Sequence, residues 1–188
     1  MRKLKLQIQM SIDGYVAGPN GELDWMTFNP DDQFMQFINS LIDSSDTILL
    51  GRKMTDGFVS HWENVAGNNP DNLFAKKMVD TPKIVFTKTL DKSTWNNTTL
   101  AKGNLAEEIA NLKKQNGKDI IVYGGAGFVS SLIKEGLIDE YHLIVNPAAI
   151  GNGMTIFKSL DRTQKFSPIE SKLYSGGKTV LSYKPKND

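Results

Sequence analysis

Residues 119–136 constrain this chain more than any other stretch. They read Asp119-Ile120-Ile121-Val122-Tyr123-Gly124-Gly125-Ala126-Gly127-Phe128-Val129-Ser130-Ser131-Leu132-Ile133-Lys134-Glu135-Gly136. A short apolar run from Ile120 to Tyr123 is cut by three glycines, and Val129, Leu132 and Ile133 then recur at helical spacing until Gly136. A strand, a tight glycine turn and a helix start together aim free backbone N–H groups at one point, where the helix dipole favours negative charge. Without a Cβ in the way, an anion can come close. The commonest anion at such a junction is a nucleotide pyrophosphate, so the stretch points to a dinucleotide or a molecule shaped like one.

The pattern is not the Rossmann fingerprint. Ser130 stands where the third glycine would fall, the motif comes late in the chain, and no acidic residue ends the next strand to hold a ribose. A dinucleotide here implies a different fold. The chain has 188 residues, enough for one domain with a sizeable core spanning 1–188. A net charge of +1 gives no electrostatic reason to expect nucleic acid or membrane as a partner. With no cysteine, disulfide and thiolate chemistry are excluded, and a reducing cytoplasm is the expected compartment. No run approaches the ~20 apolar residues of a membrane span. The N-terminus alternates, which reads as a strand and not a signal peptide.

Leu4, Leu6, Ile8 and Met10 alternate as a first strand, followed by Ser11-Ile12-Asp13-Gly14 and an extended piece at Tyr15-Val16-Ala17. Gly18-Pro19-Asn20-Gly21 is a turn. A helix begins at Asp31, with Phe34, Phe37, Ile38, Leu41 and Ile42 on one face. Thr47 to Leu50 is a buried strand, and a second helix runs from Asp71 to Val79. Lys83 to Thr87 is a strand, Asn104 caps a helix with Glu107 as its capping-box partner, and Gly117 ends that helix. Tyr141 to Val145 is a further strand, Gly151-Asn152-Gly153 a turn, and Phe166–Tyr174 with Lys178–Tyr183 a closing hairpin around Ser175-Gly176-Gly177. From Lys184 the tail is expected to fray. Alternating strands and helices imply a three-layer α/β fold with a mostly parallel sheet and an antiparallel hairpin at one edge.

Sites in such sheets lie beyond the carboxyl ends of the strands. Asp13, Gly51-Arg52, Thr87-Lys88 and Gly124-Gly125 each follow a strand and are expected to converge on one rim. Gly51-Arg52-Lys53-Met54-Thr55 opens another helix after a strand, and its amides and two cations suit a second phosphate. Thr87 and Lys88 suit the adenosine end, including a 2′-phosphate, which favours NADPH over NADH. Asp13 can orient a substrate or a nicotinamide ribose. Asp31 and Asp32 suit either the helix dipole or a hydrogen bond to a nitrogen heterocycle. Trp25, beside Asp24, either walls a nicotinamide pocket or plugs the core. His61, placed in a loop, and His142, inside a strand, have no companion at metal-ligand spacing, so no metal site is expected.

Together these pieces resemble the dihydrofolate reductase superfamily. The branch they resemble is that of the reductase domain of bifunctional riboflavin-pathway deaminase–reductases. The likeness is carried by Ser11 to Ala17, Asp24-Trp25, Leu49 to Thr55, Lys83 to Lys88, Tyr123-Gly124-Gly125, Gly136 to Glu140, and Pro147 to Phe157. It implies a dihydrofolate reductase-like mixed sheet of about eight strands, NADPH as hydride donor, and a homodimer. By position, Gly51, Arg52, Lys53 and Thr55 would hold cofactor phosphates, with Met54 standing where dihydrofolate reductases carry threonine. Thr87 and Lys88 would lie near the adenosine 2′-phosphate. Gly124, Gly125, Ala126, Gly127 and Phe128 would wrap the pyrophosphate, and Trp25 matches a tryptophan near the cofactor in the riboflavin enzymes. The implied activity is an NADPH-dependent oxidoreductase acting on a pyrimidine- or pterin-like heterocycle, foremost a ribosylamino-uracil of riboflavin biosynthesis. Asp13, Asp31 or Asp32 would be the proton relay. A dihydrofolate or pterin reductase and a non-catalytic nucleotide-binding dimer are the alternatives. The chain departs from the riboflavin enzymes in having Tyr15 where they usually carry a basic residue, and no deaminase domain is expected to accompany it.

Overall fold

A computed structural model of the protein describes residues 1–27 and 30–186. Its elements run β1 (Leu4–Met10), α1 (Asp32–Asp43), β2 (Ser45–Gly51), α2 (Arg52–Asn68), α3 (Leu73–Asp80), β3 (Lys83–Phe86), β4 (Thr98–Ala101), α4 (Leu105–Lys114), β5 (Asp119–Gly124), α5 (Ala126–Lys134), β6 (Glu140–Val145), β7 (Phe166–Leu173) and β8 (Thr179–Pro185). The eight strands form one sheet in the order β4-β3-β2-β5-β1-β6-β8-β7. Strands β4 to β6 of that order pair in parallel, and β8 and β7 add antiparallel strands at one edge. The three-layer α/β fold expected from the alternating elements is thus present, with the closing hairpin in its expected place.

The central strands of the sheet are buried on both faces. Ile109 and Leu112 of α4 and Val129, Leu132 and Ile133 of α5 pack on Leu4, Leu6, Ile8, Leu49, Ile120 and Val122. Phe34, Ile38, Leu41 and Ile42 of α1, with Phe74 and Met78 of α3, cover Ile48, Leu50 and Ile121 on the other face. Adjacent β2 residues therefore point to opposite layers, as the period of two demands. β1 breaks the apolar rule on one side. Its Lys5 and Gln7 are polar yet buried, and Lys5 is held by Asp119 at 2.8 Å and by Ser44, which caps the end of α1, at 3.0 Å.

Several sequence expectations are corrected. His61 and Trp62 lie within α2, which runs for 17 residues, and not in a loop. Trp62 packs edge-on against Phe58 and Phe74, so tertiary contacts hold a helix whose Gly57 and Gly67 weaken its intrinsic propensity. The helix expected over Asp71–Val79 is Leu73–Asp80, because the Asn72 side chain caps it by accepting from Ala75 N. β4 has no counterpart in the sequence reading. Asn104 does cap α4, but Glu108 and not Glu107 reaches back, accepting from Gly103 N at 3.1 Å. α4 ends at Lys114, ahead of Gly117. The tail does not fray at Lys184, since β8 continues to Pro185; Asn187 and Asp188 lie outside the described residues.

Candidate functional site

Parallel strands bring their carboxyl ends to one edge, and chain order decides what arrives there. β5 inserts between β2 and β1, so the turns that follow β2 and β5 become neighbours. In register, Leu50 faces Gly124 and Gly51 faces Phe86. The two glycine corners touch: a Cβ built on Gly125 would lie 3.4 Å from Gly51 Cα. One built on Gly51 would lie 2.8 Å from Phe128 Cβ, closer than real Cβ atoms come, so only glycine fits there. Gly124 and Gly125 adopt φ of 150° and 53°, which side chains disfavour. Met54 lies over Gly124, and Phe128 stacks on Phe86 with ring centroids 5.0 Å apart.

The helices that open from these corners differ from the others. α1, α3 and α4 are each capped by a side chain, from Asp31, Asn72 and Asn104. α2 and α5 start from Gly51 and Gly125 with no side-chain cap and no acidic residue in the first turn. Each therefore presents first-turn amides and the positive end of its dipole to the same stretch of rim. Arg52 and Lys53 add cations, Lys53 being exposed. This arrangement fits an anion that spans two helix starts, such as a diphosphate.

Two hydroxyls at this rim are already engaged. Thr55 is fully buried and its Oγ1 donates to Gly51 O at 3.1 Å, which braces the corner from within. Thr87 is buried and its Oγ1 accepts from Thr89 N and Leu90 N, both at 3.2 Å, shaping the turn after β3. Lys88 next to it is exposed. The amides of Ala126 and Gly127 and the ring of Phe128 belong to the first turn of α5.

The acidic candidates lie on the other side of β5, around β1, β6 and the hairpin turn. Asp13 accepts from Ile150 N at 3.1 Å and Gly151 N at 2.7 Å, tying the end of β1 to the loop after β6. Asp31 caps α1 through Phe34 N at 2.7 Å, and its second oxygen accepts from Ser175 N and Ser175 Oγ at 2.7 and 2.6 Å. Hydrogen bonds from Ser11 and Gly151 lower the Asp13 pKa, and those from Ser175 and Phe34 lower that of Asp31. Both are thus ionised clamps at neutral pH. Asp32 is exposed in the first turn of α1. Trp25 sits half-buried in the loop joining β1 to α1, its Nε1 donating to Glu22 O at 3.2 Å. Among the described residues no cluster of three or more His, Asp or Glu is arranged to hold a metal ion. His142 lies inside β6, its Nδ1 2.9 Å from Ser182 Oγ.

One contributor escaped the sequence reading. Trp95, in the connection from β3 to β4, stacks under the Arg52 guanidinium, 5.1 Å from ring centroid to Cζ. The available signal was an indole within the polar run Ser93 to Asn97, a setting with no local apolar face to bury it.

The family model described as the RibD C-terminal domain matches residues 2–180. The chain belongs to the RibD C-terminal domain family. Among curated relatives it is similar to uncharacterised protein YyaP of Bacillus subtilis (strain 168), 31% identical over 182 residues that cover 97% of this chain and 94% of YyaP. It is also similar to uncharacterised protein YwjB of the same strain, 29% identical over 87% of each chain. Among solved structures, a candidate riboflavin biosynthesis protein from Shewanella sp. PV-4 superposes with a TM-score of 0.74 at 26% identity, each chain fully covered. A deaminase/5-amino-6-(5-phosphoribosylamino)uracil reductase from Thermotoga maritima shares the fold, with a TM-score of 0.68 at 14% identity. That match covers 98% of this chain and 57% of the Thermotoga chain. The resemblance to riboflavin-pathway reductase domains of the dihydrofolate reductase-like superfamily therefore holds over nearly the whole chain. No helix among the described residues is long and apolar enough to cross a membrane.

Proposed function

We propose that this RibD C-terminal domain protein is an NADPH-dependent reductase of a pyrimidine- or pterin-like heterocycle, with a ribosylamino-uracil of riboflavin biosynthesis as the leading substrate. The observation that carries this reading is the contact between the two uncapped glycine corners, Gly51 and Gly125. A diphosphate laid across them would accept from first-turn amides of both α2 and α5. Its adenosine arm would then extend over β3 toward Thr87 and Lys88, and its nicotinamide arm toward the end of β1. Of the solved structures that share the fold, the Shewanella protein is described as a riboflavin biosynthesis protein and the Thermotoga protein as a deaminase/uracil reductase, which agrees with a reductive role.

NADPH, when bound, supplies a hydride for reduction of a C=N bond, and the protein's task is positioning and electrostatics. Glycine corners bring the backbone against the diphosphate, Lys53 balances its charge, and Arg52 stands on the adenosine side. Asp13 and Asp31, fixed and ionised, orient groups near the end of β1 instead of giving up a proton. The nitrogen's proton would come from solvent through Asp32 or an ordered water. A second copy would meet the molecule at β7, the edge strand, where Ile169 and Leu173 are 49% and 71% exposed.

One observation favours a second reading, a nucleotide-binding module without turnover: two of the three candidate acids are fully engaged in clamps. Following loss of the reduced-nicotinamide absorbance with aminouracil and pterin substrates separates the two. Consumption of NADPH supports the reductase. Tight binding without oxidation across these heterocycles supports the module, and failure to bind any nicotinamide defeats both.

A further inference from the structure

We propose that Trp95, braced by Asp56, is a positioning residue that holds Arg52 on the adenosine flank of the rim and so favours a 2′-phosphorylated cofactor, an inference that rests on the reductase reading. Arg52 opens α2 directly after Gly51. Its Nη1 donates to Asp56 Oδ2 at 3.0 Å, and its guanidinium lies 5.1 Å over the Trp95 ring. Trp95 Nε1 donates to the other oxygen of the same carboxylate at 3.0 Å. One carboxylate therefore fixes both the cation and the ring that the cation covers.

The platform is itself anchored. Ser93 Oγ accepts from Trp95 N and donates to Trp95 O, both at 3.2 Å. Asn96 Nδ2 donates to Glu63 Oε1 at 3.2 Å, one helical stretch beyond Asp56. The β3–β4 connection is thus stapled to α2 at two levels. β3 lies on the opposite side of β2 from β5. Stacking on Trp95 accordingly draws Arg52 away from the second glycine corner and toward the flank of Thr87 and Lys88. The amides of α2 and α5 are left to serve the diphosphate, and the guanidinium is left to serve a group beyond it.

The Arg52 side chain remains 35% exposed, and Asp56 engages only part of its donor fork. The remaining N–H groups can pair with phosphate oxygens in two parallel bonds. A guanidinium already held in place loses less freedom on binding than a free arginine would. NADH has no phosphate at this position, so its affinity does not depend on where Arg52 stands.

Calorimetric titration of the full chain with NADPH and with NADH tests this, each variant first checked for a cooperative thermal melt. Trp95→Leu keeps apolar bulk but removes the ring face and its N–H. It should lower the ratio of NADPH to NADH affinity by about three- to tenfold, in keeping with a lost cation–π contact, while NADH binding stays put. Trp95→Phe restores the ring face and should recover most of the ratio. If Trp95→Leu fails to fold, Ser93→Ala, which only loosens the indole's backbone, should shift the ratio in the same direction by less. An unchanged ratio, or equal weakening of both cofactors, overturns the positioning role while leaving the reductase reading intact. Failure of the unmodified protein to bind either cofactor overturns the reductase reading, and this inference with it.

Discussion

Gly51 and Gly125 meet across the gap between β2 and β5 so closely that a methyl group on Gly51 would stand 2.8 Å from Phe128 Cβ. That Cβ is fixed by the backbone of α5, so the neighbour cannot simply rotate away. Gly51→Ala should destabilise the fold by about 1–3 kcal/mol through overpacking. It should also weaken NADPH, because the start of α5 must shift. Urea unfolding and calorimetric titration read the two effects. A variant with unchanged stability would mean that the corners are looser than their contact indicates.

Tyr123 carries a buried hydroxyl without a hydrogen-bond partner among the described residues. A buried polar group left unpaired costs about 1–3 kcal/mol. Tyr123→Phe should therefore leave Tm unchanged or raise it. A lower Tm would show that the hydroxyl has a partner worth keeping, and lower turnover at an unchanged Tm would place that partner in the substrate.

Burial pushes the His142 imidazole down to about 4 from its ordinary 6.5, with nearby Glu140 opposing and Lys5 reinforcing the shift. The fold favours the neutral ring, so the unfolded chain takes up the proton first as pH falls. The stability this contributes is complete above about pH 6.5 and is lost as pH drops toward about 4. A gap of roughly 2.5 units corresponds to about 3 kcal/mol at most. His142→Gln should flatten that part of the curve when urea stability is measured at neutral and mildly acidic pH. A curve as steep as that of the unmodified protein would assign the acid sensitivity to carboxylates instead.

Asp31 and Asp32 are adjacent yet differ in duty. Asp31 caps α1 and grips Ser175, whereas Asp32 stands exposed one residue into the helix. Asp31→Ala should lower Tm clearly and Asp32→Ala scarcely. The Asp31 carboxyl is held below its usual range, so its contribution persists above the ordinary aspartate pKa and fades only as pH falls beneath it. If Asp32 passes the proton, Asp32→Asn lowers kcat while Tm and NADPH affinity hold. A Tm unaffected by Asp31→Ala would contradict the clamp.

Much of the fold could be read from the chain because local pattern and tertiary role agree. The alternation of Leu4 to Met10, the stripe from Phe34 to Ile42 and the cap at Asn104 each name their element. Where they disagree, the reading fails. β4 has four residues with only Ala101 buried, so it carries no periodic signal and exists by pairing with β3. α2 fully buries only Thr55 and Val59 and contains two glycines, and aromatic partners from α3 and β5 hold it down. The glycine corners were legible because a strand–glycine–helix junction is local. The clamps were not. Asp31 meets Ser175, 144 residues on, and Asp13 meets Gly151, 138 residues on, so nothing near either aspartate shows that its oxygens are taken. Trp95 was hidden for the same reason, since its partners Arg52 and Asp56 lie on another element.

The account stands or falls on where the cofactor's diphosphate rests. A crystal structure of the protein grown with NADPH tests this most directly. The account predicts diphosphate oxygens within hydrogen-bond reach of first-turn amides from both α2 and α5, with the adenosine 2′-phosphate beside Arg52. A diphosphate held by only one of these helices, or bound anywhere else on the molecule, would contradict it.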